Sequence, residues 1–134
     1  MCSNVCHSGC ACNAQFQRES GQWESAEYST FSISDEAGKY RLSVSGTGYS
    51  GDAGDALAGT SDANYNADGK MFSTHDQDND LLPAKHKAAK RGCGWWIGTM
   101  SLSRLNDNTK GRWKLSTDDP RTSVKFSRML VRAN

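Results

Sequence analysis

Residues 72 to 80 read Phe-Ser-Thr-His-Asp-Gln-Asp-Asn-Asp, placing the carboxylates of Asp76, Asp78 and Asp80 at alternate positions. Like charges this close repel one another, and a folded chain keeps them together most easily when a cation neutralises them. Their oxygens are hard ligands that suit Ca²⁺ better than a transition metal. An EF-hand loop would need Gly at its sixth position and Glu at its twelfth. Counted from Asp76, those positions hold Leu81 and Lys87, and no long amphipathic helix flanks the segment. A solvated acidic turn without metal is the plain alternative, because Asp and Asn form turns in their own right.

The remaining residues limit what can surround this segment. A length of 134 residues suffices for one domain with one core. A net charge of +1 creates no global field for nucleic acid or an anionic membrane. No apolar run approaches the roughly 20 residues of a membrane span. The opening Met-Cys-Ser-Asn-Val-Cys-His is not a signal-peptide core. Thirteen glycines, with many Ser, Asp and Asn residues, predict a loop-rich fold of low helix content.

Five cysteines are present, and Cys2, Cys6, Cys10 and Cys12 crowd into the first twelve residues while Cys93 stands apart. This density favours disulfides and an oxidising compartment. The odd total leaves at least one thiol free or joined to a second chain. Zinc held by the same cysteines and His7 is the other reading, although the spacing matches no familiar zinc module.

Residues 1–14 read as a cysteine-rich arm, and residues 15–134 as the folded domain. Tyr28 to Ile33 alternates partly and predicts a strand. Tyr40-Arg-Leu-Ser-Val alternates strictly, with Tyr40, Leu42 and Val44 on one face. Gly46 to Gly59 predicts loop. Val124, Phe126, Met129 and Val131 interleave with basic residues, predicting a strand with a bulge at Ser127-Arg128.

Several of these segments, in order, resemble the fibrinogen C-terminal (fibrinogen-related) domain. The carriers are Glu27 to Gly46, Tyr49-Ser-Gly-Asp-Ala-Gly-Asp-Ala-Leu57, the acidic segment Phe72 to Asp80, Gly94-Trp-Trp96, Trp113-Lys114 and Phe126 to Arg132. The resemblance covers about residues 15–132 and implies an α+β fold: a twisted antiparallel sheet, short helices and long loops. It also implies that the N-terminal subdomain of that family is missing here. Met100 and Ser101 stand where the family has a Cys-His pair, so the family's disulfide across the acidic loop is lost. Cys93 is then expected to pair with an N-terminal cysteine.

The resemblance implies a Ca²⁺ site made by the side chains of Asp78 and Asp80 and the carbonyls of Leu82 and Ala84, with Asp76 either supporting those ligands from behind or capping the turn. It implies a neighbouring ligand pocket, for which Trp96, Thr99, Met100, Ser101 and Lys87 are the candidates. Trp95 and Trp96 can equally be core. The basic run Lys85, Lys87, Lys90 and Arg91 reads either as a solvated loop or as an anion contact. No catalytic set is evident around His7, His75 or His86. The expectation is a secreted, calcium-binding, non-enzymatic lectin for glycans or acetylated surface groups. Its protomers would be joined as a homo-oligomer through N-terminal cysteines for avidity. The alternative is a disulfide-linked structural, adhesive or matrix protein that has lost sugar binding.

Overall fold

A computed structural model describes Cys6 and residues 9–134. Its strands are β1 (Cys10–Arg18), β2 (Trp23–Ile33), β3 (Leu42–Val44), β4 (Tyr49–Gly51), β5 (Phe72–Ser73), β6 (Trp95–Trp96), β7 (Ser103–Arg104), β8 (Arg112–Trp113) and β9 (Val124–Ala133). A 3-10 turn at Gly46–Gly48 and one helix, α1 (Lys87–Arg91), interrupt the loops. The centre is an antiparallel sheet in the order β3-β2-β1-β9, with β4 pairing β2 off that path. The four two-residue strands form two small ribbons, β5 with β6 and β7 with β8. The sheet-rich, loop-rich character expected from composition is therefore present.

Alternation builds the sheet. Along β1, Cys10, Cys12, Ala14, Phe16 and Arg18 face inward with strict period two. These side chains join Tyr28, Phe31, Leu42, Leu57, Ile97 and Trp113 in the core cluster, apart from Cys10 and Arg18. Tyr28 and Phe31 are an odd number of residues apart, yet both are buried. A bulge permits this, because Cys10 pairs with Phe31 while Cys12 pairs with Tyr28, so β2 carries one extra residue.

Four local expectations need correction. Cys10, Cys12 and Ala14 are interior positions of β1, so there is no passage from an arm to a domain at residue 14. Tyr40 is not in a strand. Lys39 and Tyr40 have φ of 60° and 51°, a left-handed turn that leads into Leu42 and Val44. The bulge in β9 lies at Lys125 rather than at Ser127-Arg128, since Gln17 pairs with Phe126 and Arg18 with Val124. Finally, Cys6 bonds to Cys10, and Cys93 is a free, buried thiol, as is Cys12. Pairing of Cys93 with Cys6, Cys10 or Cys12 therefore does not occur, because Cys6 and Cys10 satisfy each other and Cys12 points into the core. The disulfide also removes two sulfurs from the zinc reading; Cys2 and His7 lie outside the described residues. Burial pushes the Cys12 thiol up to about 11 and raises that of Cys93 as well. Both sulfurs are buried, so neither is placed for a link between protomers.

Beneath the sheet end lies a buried ion pair. Arg18 Nε donates to Glu24 Oε2 at 2.6 Å, and the two side chains are 2% and 6% exposed. Arg18 Nη1 donates to the carbonyls of Trp113 and Thr122 at 2.8 and 3.0 Å. The guanidinium also lies 5.0 Å from the Phe16 ring centre, and Phe16 packs on Trp113.

Arg121 extends this network. It approaches Glu24 at 3.8 Å and binds Asp119 at 2.6 Å. The Arg121 side chain, with backbone N–H groups of Leu115 and Arg121, holds the Asp119 carboxyl well below the usual carboxylate range. A carboxylate depressed in the folded state contributes stability that is complete above its unfolded pKa and is lost as pH falls toward the folded one. Stability is therefore expected to decline below about pH 4. In Asp119→Asn, urea midpoints measured from pH 7 to pH 2 should fall less steeply than in the unaltered protein. Equal slopes would show that Asp119 is not a source of the decline.

Candidate functional site

The acidic segment begins as a tight turn. Thr74 and Gln77 exchange backbone hydrogen bonds at 3.0 and 3.2 Å across an isolated bridge. Thr74 Oγ1 donates to Asp76 Oδ1 at 2.7 Å. This bond, then the backbone N–H of Asp76 and the His75 ring, hold the exposed Asp76 carboxyl below its ordinary range. Asp76 thus serves the turn itself.

Asp78 and Asp80 organise the residues beyond the turn. Asp80 N–H donates to Asp78 Oδ1 at 3.1 Å. Asp80 Oδ1 accepts the Leu82 N–H at 2.9 Å, and its Oδ2 accepts the Lys87 N–H at 3.0 Å. Lys87 opens α1, whose N-cap residue His86 makes no side-chain cap. Asp80 therefore satisfies an N–H that the start of a helix leaves without an intrahelical partner. The His86 ring instead meets the Thr74 carbonyl at 2.7 Å, closing the loop against its own beginning. Asn79 anchors the middle, its amide donating to Phe72 O at 2.8 Å. After Pro83 the backbone reverses at Ala84, which has φ of 59°.

These residues fit a calcium ion in kind. Each carboxylate oxygen has two acceptor positions, so Asp80 keeps one on each oxygen after its backbone bonds. Asp78 is exposed, and its Oδ2 meets no donor among the described residues. No group of three or more His, Cys, Asp or Glu converges among the described residues. A cation here would therefore rest on two carboxylates, with carbonyls and water completing the six to eight oxygens Ca²⁺ takes. The carbonyls of Leu82 and Ala84 lie on the same stretch of backbone.

The second half of the site is reached through one bond. Leu81 N–H donates to Gly98 O at 3.2 Å, tying the acidic arm to the segment after the double tryptophan. Asn64 holds that segment from behind. Its carbonyl accepts Met100 N–H at 3.0 Å, and its Oδ1 accepts Thr99 Oγ1 at 3.2 Å. Thr99 is half-buried, while Met100 and Leu81 are 37% and 58% exposed. These three residues form the surface beside the acidic arm.

Trp96 and Ser101 are placed differently. Trp96 packs edge-on against Phe31, Phe72 and Trp95, and its Nε1 donates to Tyr40 O at 2.8 Å. Ser101 is buried, and its hydroxyl donates to the Ser103 carbonyl. Neither side chain is open to a ligand, so both act by shaping the wall from inside. Lys87 is half-buried, and its amine is held below the ordinary lysine range by burial and then by Arg104 and Arg91. Asn64 and Tyr40 could not be found from the sequence. Tyr40 acts through its backbone carbonyl alone, 56 residues from its partner, and carbonyls carry no residue-type signal; Asn64 adds a side-chain bond to its carbonyl, but its partners lie 35 and 36 residues away with no local pattern to join them.

Comparison with known proteins places this architecture. Residues 7–132 match the family model described as fibrinogen beta and gamma chains, C-terminal globular domain. Human fibroleukin is 40% identical over 81 residues, which is 60% of this chain and 18% of fibroleukin. Protein scabrous of Drosophila melanogaster is 38% identical over 109 residues, 80% of this chain and 12% of scabrous. The chain thus spans less than a fifth of either relative. Among solved structures, the fibrinogen-like globe domain of human ANGPTL6 superposes with a TM-score of 0.74 at 25% identity, covering 94% of this chain and 57% of that one. The family model covers nearly the whole chain and the fold superposes on a fibrinogen-like globe domain: this protein belongs to the family of C-terminal globular domains of the fibrinogen β and γ chains.

Proposed function

We propose that the protein is a secreted recognition module whose loop from Asp78 to Ala84 takes Ca²⁺, and that the surface of Leu81, Thr99 and Met100 beside it contacts glycans or acetylated groups. The observation that carries this reading is the Leu81–Gly98 hydrogen bond, which makes the acidic arm and the exposed segment one mechanical unit. Bound Ca²⁺ would neutralise the two carboxylates and stiffen the arm. Asp78 would offer its free oxygen, and Asp80 would hold the arm to α1 while facing the ion. Thr99 would supply a hydroxyl and Met100 an adaptable apolar contact.

The Cys6–Cys10 disulfide supports an oxidising compartment. With Cys12 and Cys93 buried, joining of protomers into a homo-oligomer would fall to Cys2. The enclosure of Trp96 and Ser101 favours the second reading, a structural or adhesive module that keeps calcium and has lost sugar binding.

Calorimetric titration with CaCl₂ tests the metal. Heat is expected for the unaltered protein and a large loss for Asp78→Ala; equal heats would place any calcium elsewhere. Glycan-array binding with and without chelator tests the ligand. Chelator-sensitive binding supports the lectin reading. Calcium heat without any glycan signal overturns it in favour of the structural one.

A further inference from the structure

A cavity of about 370 Å³ lies between the end of α1, the β7–β8 ribbon and the segment entering β9. Its wall carries five cations, Arg91, Arg104, Lys110, Arg112 and Lys114, against one carboxylate, Asp107. That carboxylate is already committed. Its Oδ2 accepts Arg104 Nε at 3.2 Å, and its Oδ1 accepts the N–H and hydroxyl of Thr109 at 3.0 and 2.7 Å. Among the described residues, the Lys114 amine has a neutral acceptor, the Asp119 carbonyl at 2.8 Å, and no carboxylate partner.

The cavity lacks negative charge where its donors need it. Arg91 Nε is buried and has no hydrogen-bond partner among the described residues. A buried donor on a cation left without an acceptor is costly. Arg104 is 5% exposed, and burial, then Arg112, hold it below the ordinary arginine range. Arg91 and Arg104 are brought from two separate stretches of sequence to the alternating run Lys110, Arg112 and Lys114, so the fold, not one local charge run, gathers all five cations.

We propose that this cavity binds a tetrahedral oxyanion, the sulfate or phosphate group of an ester such as a sulfated or phosphorylated sugar. Planar guanidinium groups pair two N–H donors with two oxygens of such a group, and here three of them share one wall. The volume falls within the range of small-molecule sites and leaves room for the ring that bears the ester. This site is separate from the acidic loop, although α1 links them: its first N–H rests on Asp80, and its last residue is Arg91.

The test is a titration in calcium-free buffer at constant ionic strength, so its outcome does not depend on the metal. Sodium sulfate, glucose 6-sulfate and glucose 6-phosphate serve as probes, with sodium chloride and glucose as references. The Nε–Hε resonances of Arg91 and Arg104 should shift saturably with the three probes and not with the references. Arg91→Gln should weaken binding about tenfold, and the exposed Lys110→Gln, which threatens no packing, about threefold. Tighter binding of the esters than of sulfate assigns an ester ligand, and equal affinity assigns the free oxyanion. Absence of saturable shifts, or unchanged affinity in both variants, overturns the proposal.

Discussion

Glu24→Ala is expected to lower the unfolding free energy by about 3–5 kcal/mol, because it strands a charged guanidinium in the protein interior. Arg18 is 2% exposed, and its Nε has Glu24 Oε2 as its acceptor at 2.6 Å. The carbonyls of Trp113 and Thr122 occupy Nη1, while Nη2 has no partner among the described residues. Arg121, at 3.8 Å from Glu24, would lose its second carboxylate too. The damage comes from the unpaired charge rather than from the lost bond. The double substitution Arg18→Met with Glu24→Leu removes both charges and should therefore recover most of the loss. Urea unfolding of the two single variants and the pair gives the coupling directly. A single-variant loss under about 1 kcal/mol would show that Arg18 finds water or another acceptor.

The second large effect concerns the acidic arm. If the arm takes Ca²⁺ as proposed, Asp80→Ala should weaken calcium binding by about a hundredfold or more, since it would remove one of two anionic ligands from a site with few charges. It should also cost about 1–2 kcal/mol of stability, because Leu82 N–H and the first N–H of α1 lose their acceptor together. Asp80→Asn separates the two roles. Its amide oxygen can still accept the Leu82 N–H, so stability should stay closer to that of the unaltered protein while calcium affinity falls. Calorimetry and thermal unfolding on both variants check this. Calcium affinity retained in Asp80→Asn would mean that the carboxylate matters only as a loop brace.

Much of the architecture is legible in the sequence because periodicity and turn chemistry are local. The strand through Tyr28 to Ile33 follows from alternation, and the Gly, Asp and Ser content of Gly46 to Gly59 accounts for its being mostly loop, although β4 (Tyr49–Gly51) pairs with β2 inside it. Local pattern misleads where a residue's fate depends on what packs against it. Tyr40 keeps the alternation of Leu42 and Val44, but its left-handed backbone turns it to the surface, where its carbonyl serves Trp96. Cys93 offers the right chemistry for a disulfide, yet its placement decides against one. The cavity of five cations is not legible as a whole in the sequence: Lys110, Arg112 and Lys114 alternate in one short stretch, but no spacing joins them to Arg91 or Arg104.

The sequence by itself determined the acidic arm and its chemistry: alternate carboxylates near turn formers give a hard, anionic loop whatever surrounds it. It also determined membership of a family, through ordered motifs spread over most of the 134 residues. Only the tertiary structure decided which of those residues face outward. It enclosed Trp96 and Ser101, left Met100 exposed and Thr99 half-buried, and set Asp80 to brace α1. It also buried Arg18 against Glu24, residue types that ordinarily stay in solvent. The physical reason is common to all of these. Exposure, hydrogen-bond partners and net local charge are properties of neighbours in space, and the sheet and its long loops bring those neighbours from positions tens of residues apart.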